Sequence, residues 1–198
     1  MDSVVRQWPG LEVSVEDLDG EGYLVELGGR AGQILVNKAA PRVRQRFTLA
    51  HELGHWVLSL SPELHQRLSR AEGEKWCDAF AREMLIPVNW LEDSLGDTDL
   101  SATARLARLP SQFQVSGQAM WIQCSQHELL SIVTAGERLG EYPAPSLSVA
   151  QRGSLVRATL AYRDSHGEAP PAVGGLPATF FRTSRSVAVG IVRVKSTT

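Results

Sequence analysis

The chain has 198 residues, of which 43% are hydrophobic and 21% charged, with a net charge of −2. That is enough for one full core or one domain with an appendage, in an ordinary soluble globular protein. No run approaches the ~18 apolar residues of a membrane helix, and Met1 to Gly10 has neither the basic start nor the apolar stretch of a secretory signal, so the expected location is cytoplasmic, with no membrane partner.

The small net charge hides a split. Residues 1–137 carry 12 Lys/Arg against 19 Asp/Glu, and residues 138–198 carry 8 against 3, leaving −7 and +5. Either the two stretches meet different partners, or a basic tail neutralises an acidic body.

In chain order, residues 11–37 read as β-structure. Leu11 to Val15 alternates, as does Tyr23 to Leu27, and the turn Gly28 to Gly32 joins the latter to Gln33 to Asn37. A small antiparallel sheet is expected here. It would either cover the following helix or offer an edge to a peptide by strand addition. Pro41 then opens a helix near its first turn. Arg42, Arg44 and Arg46 precede the next motif and are expected to be solvated or to meet acidic substrate.

This helix carries His51-Glu52-Leu53-Gly54-His55. Residues four apart share a helix face, so both imidazoles can reach one metal ion. Glu52 sits one position round, where it can lie beside an open coordination site and take a proton from water. Phe47, Leu49, Ala50, Leu53, Val57 and Leu58 cover the other faces, as in a helix buried on most sides. A zinc-hydrolase helix is the reading; the plainer alternative is a core helix with two half-buried histidines.

A tetrahedral catalytic zinc takes three protein ligands. Ser61 and Pro62 break the first helix, His65 in the connector reads as a surface residue, and Glu72 to Pro87 reads as a second helix. Trp76, Phe80, Met84 and Leu85 recur at helical spacing there, and Pro87 terminates it. Glu74 and Asp78 share one face, where two carboxylates repel unless a cation compensates. A dication would do so, with Glu74 as third ligand and Asp78 holding the distal ring nitrogen of a ligating histidine. Glu72, Glu83 and Glu63 compete for the ligand position, and a solvated acidic stripe beside Lys75 and Arg82 is the alternative.

From Arg44 to Pro87 the pattern R-x-R-F-T-x-A-H-E-L-G-H, followed by E-x-x-x-D-x-F-A-x-x-x-L-x-P, resembles the ImmA/IrrE family of bacterial and phage metallopeptidases. The resemblance implies a gluzincin-like site with His51, His55 and Glu74 on one zinc ion per chain and Glu52 as general base. It also implies a protein substrate, a helix-turn-helix transcriptional repressor whose cleavage derepresses its genes. The rival reading is a non-catalytic regulator that sequesters such a repressor.

Val88 to Leu95 reads as a short helix ended by Gly96. Leu109 to Met120 resembles the helix-turn-helix-like unit that follows the protease motif in this family. Pro110 weakens the first of its helices, and Ser116 would cap the second. Ser111 to Glu137 contains no Lys or Arg, so phosphate attraction and guanine readout are both lacking and no nucleic-acid binding is expected. Cys77 and Cys124 lie in separate expected helices and read as small core residues.

Glu141 to Pro145 reads as a linker. Leu155 to Tyr162 fits helix or strand, Pro170 to Gly175 a loop and Ser186 to Val194 a strand. These ~60 residues are too few for the GAF-like sensor domain of some relatives, so an extension packed on the body is expected. Tyr142, Tyr162, His127 and His166 are the candidate donors to an oxyanion.

The expected fold is α+β: a small N-terminal antiparallel sheet packed on a helical zinc-protease core, a helix-turn-helix-like helical unit and a mixed C-terminal extension. The expected boundaries are 1–97 for the metallopeptidase domain, 98–137 for the helical unit and 138–198 for the extension.

Overall fold

A computed structural model describes residues 8–28, 30–96, 103–164, 172–182 and 187–193. Among them are seven helices and two sheets, an α+β fold. His166, Pro170, Pro171, Ser186, Val194 and the boundary at 97/98 lie outside the described residues. The chain divides into two compact units, Met1–Pro87 with Gln114–Ser116 and Val88–Phe113 with Gly117–Thr198.

In the first unit, β1 (Leu11–Glu16), β2 (Gly22–Gly28) and β3 (Ala31–Asn37) form a sheet in the order β1-β3-β2. The expected antiparallel pairing holds for the β2–β3 hairpin, but β1 lies parallel to β3, so the sheet is mixed. Side-chain alternation records which face a residue takes and not the direction of the neighbouring strand. Leu11, Ile34 and Val36 from one face meet Leu49, Leu53 and Trp56 of α1 (Arg42–Ser59) in a single core. Gly32 allows this: a Cβ there would sit 2.7 Å from the Trp56 ring.

Helix α1 begins after Pro41 with no side-chain cap, and the short, fully exposed α2 (Pro62–Arg67) follows, starting at the break expected at Ser61 and Pro62. The next helix, α3 (Arg70–Leu85), starts two residues earlier than its apolar periodicity suggests. Ser69 and Glu72 form a capping box, Ser69 Oγ accepting from the Glu72 N–H while the Glu72 carboxylate accepts the Ser69 N–H at 2.8 Å. Of the three arginines ahead of the histidine motif, Arg42 is exposed, Arg44 pairs with Glu21 at 3.0 Å, and Arg46 donates to the backbone and side-chain oxygens of Gln114.

In the second unit α4 (Val88–Leu95) ends at Gly96, whose N–H returns to the Glu92 carbonyl. Helix α5 (Thr103–Phe113) keeps Pro110 inside it. An interior proline costs about 3 kcal/mol, but Leu106 and Leu109 are completely buried, and each such side chain contributes about 1.5–3 kcal/mol. Helix α6 (Gly117–Gln126) starts directly after Ser116.

A second sheet has the order β5-β4-β8-β7-β6, antiparallel throughout: β4 (Leu130–Ala135), β5 (Leu139–Tyr142), β6 (Ala172–Val173), β7 (Leu176–Arg182) and β8 (Ala188–Arg193). The expected linker at Glu141 is therefore partly strand β5, and the stretch expected as loop up to Gly175 contains strand β6. The helix-or-strand ambiguity at Leu155 resolves as helix α7 (Val149–Asp164). Strands from both sides of residue 137 share this sheet, since β4 pairs with β8. Val133, Phe180 and Val192 pack with Leu155 of α7, while α5 and α6 also pack on the sheet.

Arginines of the basic C-terminal stretch serve this unit's own backbone. Arg182 donates to the carbonyls of Tyr162 and Arg163 at the end of α7, Arg152 to that of Leu147 and Arg193 to that of Gly96. No helix among the described residues is long and apolar enough to cross a membrane.

Candidate metal centre

The site is built where α1 and α3 touch. Gly54, inside the histidine motif, makes the approach possible, because a Cβ there would lie 3.1 Å from Cys77 Cα and 3.3 Å from its Sγ. A helix-interior glycine loses about 1 kcal/mol against alanine, so close packing is the reason to keep one. Cys77 and Ala81 of α3 are fully buried in this contact.

One helical turn separates His51 from His55, and their Nε2 atoms lie 3.1 Å apart. Glu74 Oε2 of α3 is 3.3 Å from His51 Nε2 and 3.7 Å from His55 Nε2. Donor atoms about 2.0–2.1 Å from a tetrahedral ion are about 3.3–3.4 Å from one another, so the three separations fit one ion. Among the described residues these three form the group able to hold a metal. Two nitrogens and a carboxylate oxygen are a donor set compatible with zinc.

His51 Nδ1 lies 2.9 Å from Asp78 Oδ1. With the proton on Nδ1 it donates to that carboxylate, leaving the Nε2 lone pair directed at Glu74 and His55. Of the competing carboxylates, Glu72 is spent in the capping box, and Glu63 and Glu83 are exposed outside the converging group. Glu74 and Asp78 both lie against imidazoles, with their side chains 50% and 48% exposed.

Glu52 is largely withdrawn from water. Burial pushes its carboxyl above the usual value and Glu74 adds to this; the His51 and His55 charges and a hydrogen bond from the Leu24 backbone N–H work the other way. The Leu24 contact has no signal in the sequence, since a backbone donor leaves no mark on residue type. Burial, reinforced by Glu74, Glu52 and Asp78, pushes the Cys77 thiol up to about 12, and burial alone does the same for Cys124. Neither is a nucleophile at neutral pH.

The candidate oxyanion donors Tyr142, Tyr162 and His127 belong to the second unit. There the Tyr162 ring lies tilted against Phe180, beneath Arg182, and His127 Nε2 lies 3.2 Å from Gln123 Nε2.

Such a pair of helices, with a histidine pair on one and carboxylates on the other, makes a scaffold able to hold a metal ion. The family model of peptidase M78, described as the IrrE N-terminal-like domain, matches residues 10–124, and the chain belongs to this family. No curated protein matches it at a significant level. Among solved structures it is similar to a Mycobacterium tuberculosis transcriptional regulator, with 13% identity and a TM-score of 0.52 over 97% of this chain and 68% of that one. At that identity the likeness is one of fold.

Proposed function

We propose that the protein is a zinc-dependent endopeptidase that cleaves a partner protein, a helix-turn-helix transcriptional repressor, and so derepresses genes. The observation that carries this reading is the convergence of His51, His55 and Glu74 with Glu52 beside them. Family membership and the regulator-like fold of the structural neighbour support it.

In this mechanism His51, His55 and Glu74 would hold the ion, which would supply Lewis acidity at the scissile carbonyl. Asp78 fixes the His51 ring through Nδ1. The Glu52 carboxylate takes a proton from the attacking water as its oxygen adds to the carbonyl carbon. Glu52 then delivers that proton to the amide nitrogen as the C–N bond breaks. Its partial burial makes it a stronger base than a solvated glutamate.

The test is incubation of purified protein with a candidate repressor, with and without chelator, read on a gel. Cleavage that chelator abolishes is the expected result, and Glu52→Gln should lower its rate by about 10²–10⁴ while metal is retained. A variant cleaving at wild-type rate removes Glu52 from the mechanism. A stable complex without cleavage replaces the peptidase by a binder of repressors.

A further inference from the structure

The carboxylate of the candidate centre is held differently from its two imidazoles. His51 and His55 stand well inside α1, with buried Ala50, Leu53, Gly54 and Trp56 around them. Glu74 belongs to the opening turns of α3, on a solvated stretch: between Leu58 and Cys77 no residue is buried. The helix ahead of it, α2, is exposed along its length. Packing therefore grips α3 only from Cys77 onward, where it meets Gly54, and Glu74 lies on the free side of that grip. Gly73 loosens the backbone further, since glycine is the poorest helix former after proline. A helix end with solvated bonds and few apolar contacts opens locally at little cost. Yet the Glu74 carboxylate stands 3.3 Å from His51 Nε2, so something other than packing holds this turn.

The capping box does so. One oxygen of the Glu72 carboxylate accepts both the Ser69 N–H at 2.8 Å and the Ser69 hydroxyl at 2.6 Å, while the Glu72 N–H returns to Ser69 Oγ at 3.4 Å. The Gly73 N–H donates to the Ser69 carbonyl at 2.9 Å and closes the first turn. Glu74 is the next residue in. These bonds fix the dihedral angles that nucleate a helix, the step that costs the most entropy. Ser69 and Glu72 are both exposed and add no packing. What they order is the turn that leads into Glu74.

We propose that Ser69 and Glu72 are positioning residues for the metal centre, holding the first turn of α3 helical so that Glu74 stays aimed at the two imidazoles. An ion meets all three donors only in molecules whose turn is formed, so its apparent affinity scales with the fraction that are. By linkage, a bound ion orders the turn in the same measure. The inference rests on His51, His55 and Glu74 being the metal ligands and is independent of whether the chain cleaves a substrate.

The test measures the zinc affinity of the full chain against a competing chelator, well below its melting temperature. Ser69→Ala combined with Glu72→Ala removes both halves of the box and should weaken zinc binding about three- to tenfold. Glu72→Gln, whose amide oxygen can accept the same bonds, should bind as wild type, which separates the box from the Glu72 charge. A Cβ at Gly73 meets nothing within 4 Å, so adding Gly73→Ala to the uncapped pair should recover most of the loss by stiffening the turn. A merely structural cap would lower the melting temperature of the pair and leave the affinity of the folded chain unchanged. That result overturns the inference, as does a loss that Glu72→Gln shares or that Gly73→Ala fails to repair. A wild-type chain that binds no zinc overturns the metal centre itself, and this inference with it.

Discussion

The two sheets of this protein are made of similar residues and do different work. The five-stranded sheet is covered at its centre, though not at its edge strand β5: β4 and β8 are buried at nearly every position, with α7 against Val133 and Val192, and α5 and α6 also packed on it. The three-stranded sheet has one face in the core and an outer face that is only half covered. The difference teaches that similar strands can be buried to different depths. The five-stranded sheet is buried at its centre, and the three-stranded one lies against the helix that carries the histidine pair.

The largest effect expected from this contrast is on stability. Leu155→Ala, beneath the covered sheet and 1% exposed, should cost about 2–5 kcal/mol in a denaturant titration. Tyr23→Ser on the open sheet should stay within about 0.5 kcal/mol. Comparable losses for the two would erase the distinction.

A smaller effect separates the metal centre from both sheets. Asp78→Asn keeps the shape of the side chain but weakens its grip on His51 Nδ1. Metal affinity measured against a competing chelator should fall about 10–100-fold. Unchanged affinity would reduce Asp78 to a surface carboxylate.

The smallest effect is a pH-dependent one. Burial raises the folded-state pKa of Glu52 above its unfolded value. Its contribution to stability is therefore complete below the unfolded value and is lost as pH rises through the folded one. Glutamine cannot ionise, so metal-free Glu52→Gln should melt above metal-free wild type near neutral pH. The gap should close as pH falls below the ordinary carboxylate value of about 4.3. A gap that widens toward acid would contradict the burial of this side chain.

The same contrast explains what can be read from residue order. Strands covered on one face alternate, so Leu11 to Val15 and Tyr23 to Leu27 announce themselves. Strands covered on both faces do not: Leu130-Ser131-Ile132-Val133 has no period to detect. β5 and β6, at four and two residues, are too short to show one, so that β4, β5, β6 and β7 emerge only in the structure. The histidine pair and Glu74 with Asp78 are legible because helical spacing is local. The capping box is equally local, as Ser69-Arg70-Ala71-Glu72, but among the acidic residues of this stretch Glu72 reads first as a competing ligand. The direction of β1 and the Leu24 donor are not legible, since neither depends on a side-chain type.

The grip of Arg46 on Gln114 bears on how this polypeptide can be divided. Gln114 sits in the left-handed region at φ 54 and belongs to the first unit, although the chain has by then traversed α4 and α5. A gene truncated after Pro87 would encode every proposed metal ligand yet omit the residue that Arg46 holds. Shuffling the metal-binding half into another protein therefore calls for two splice points rather than one.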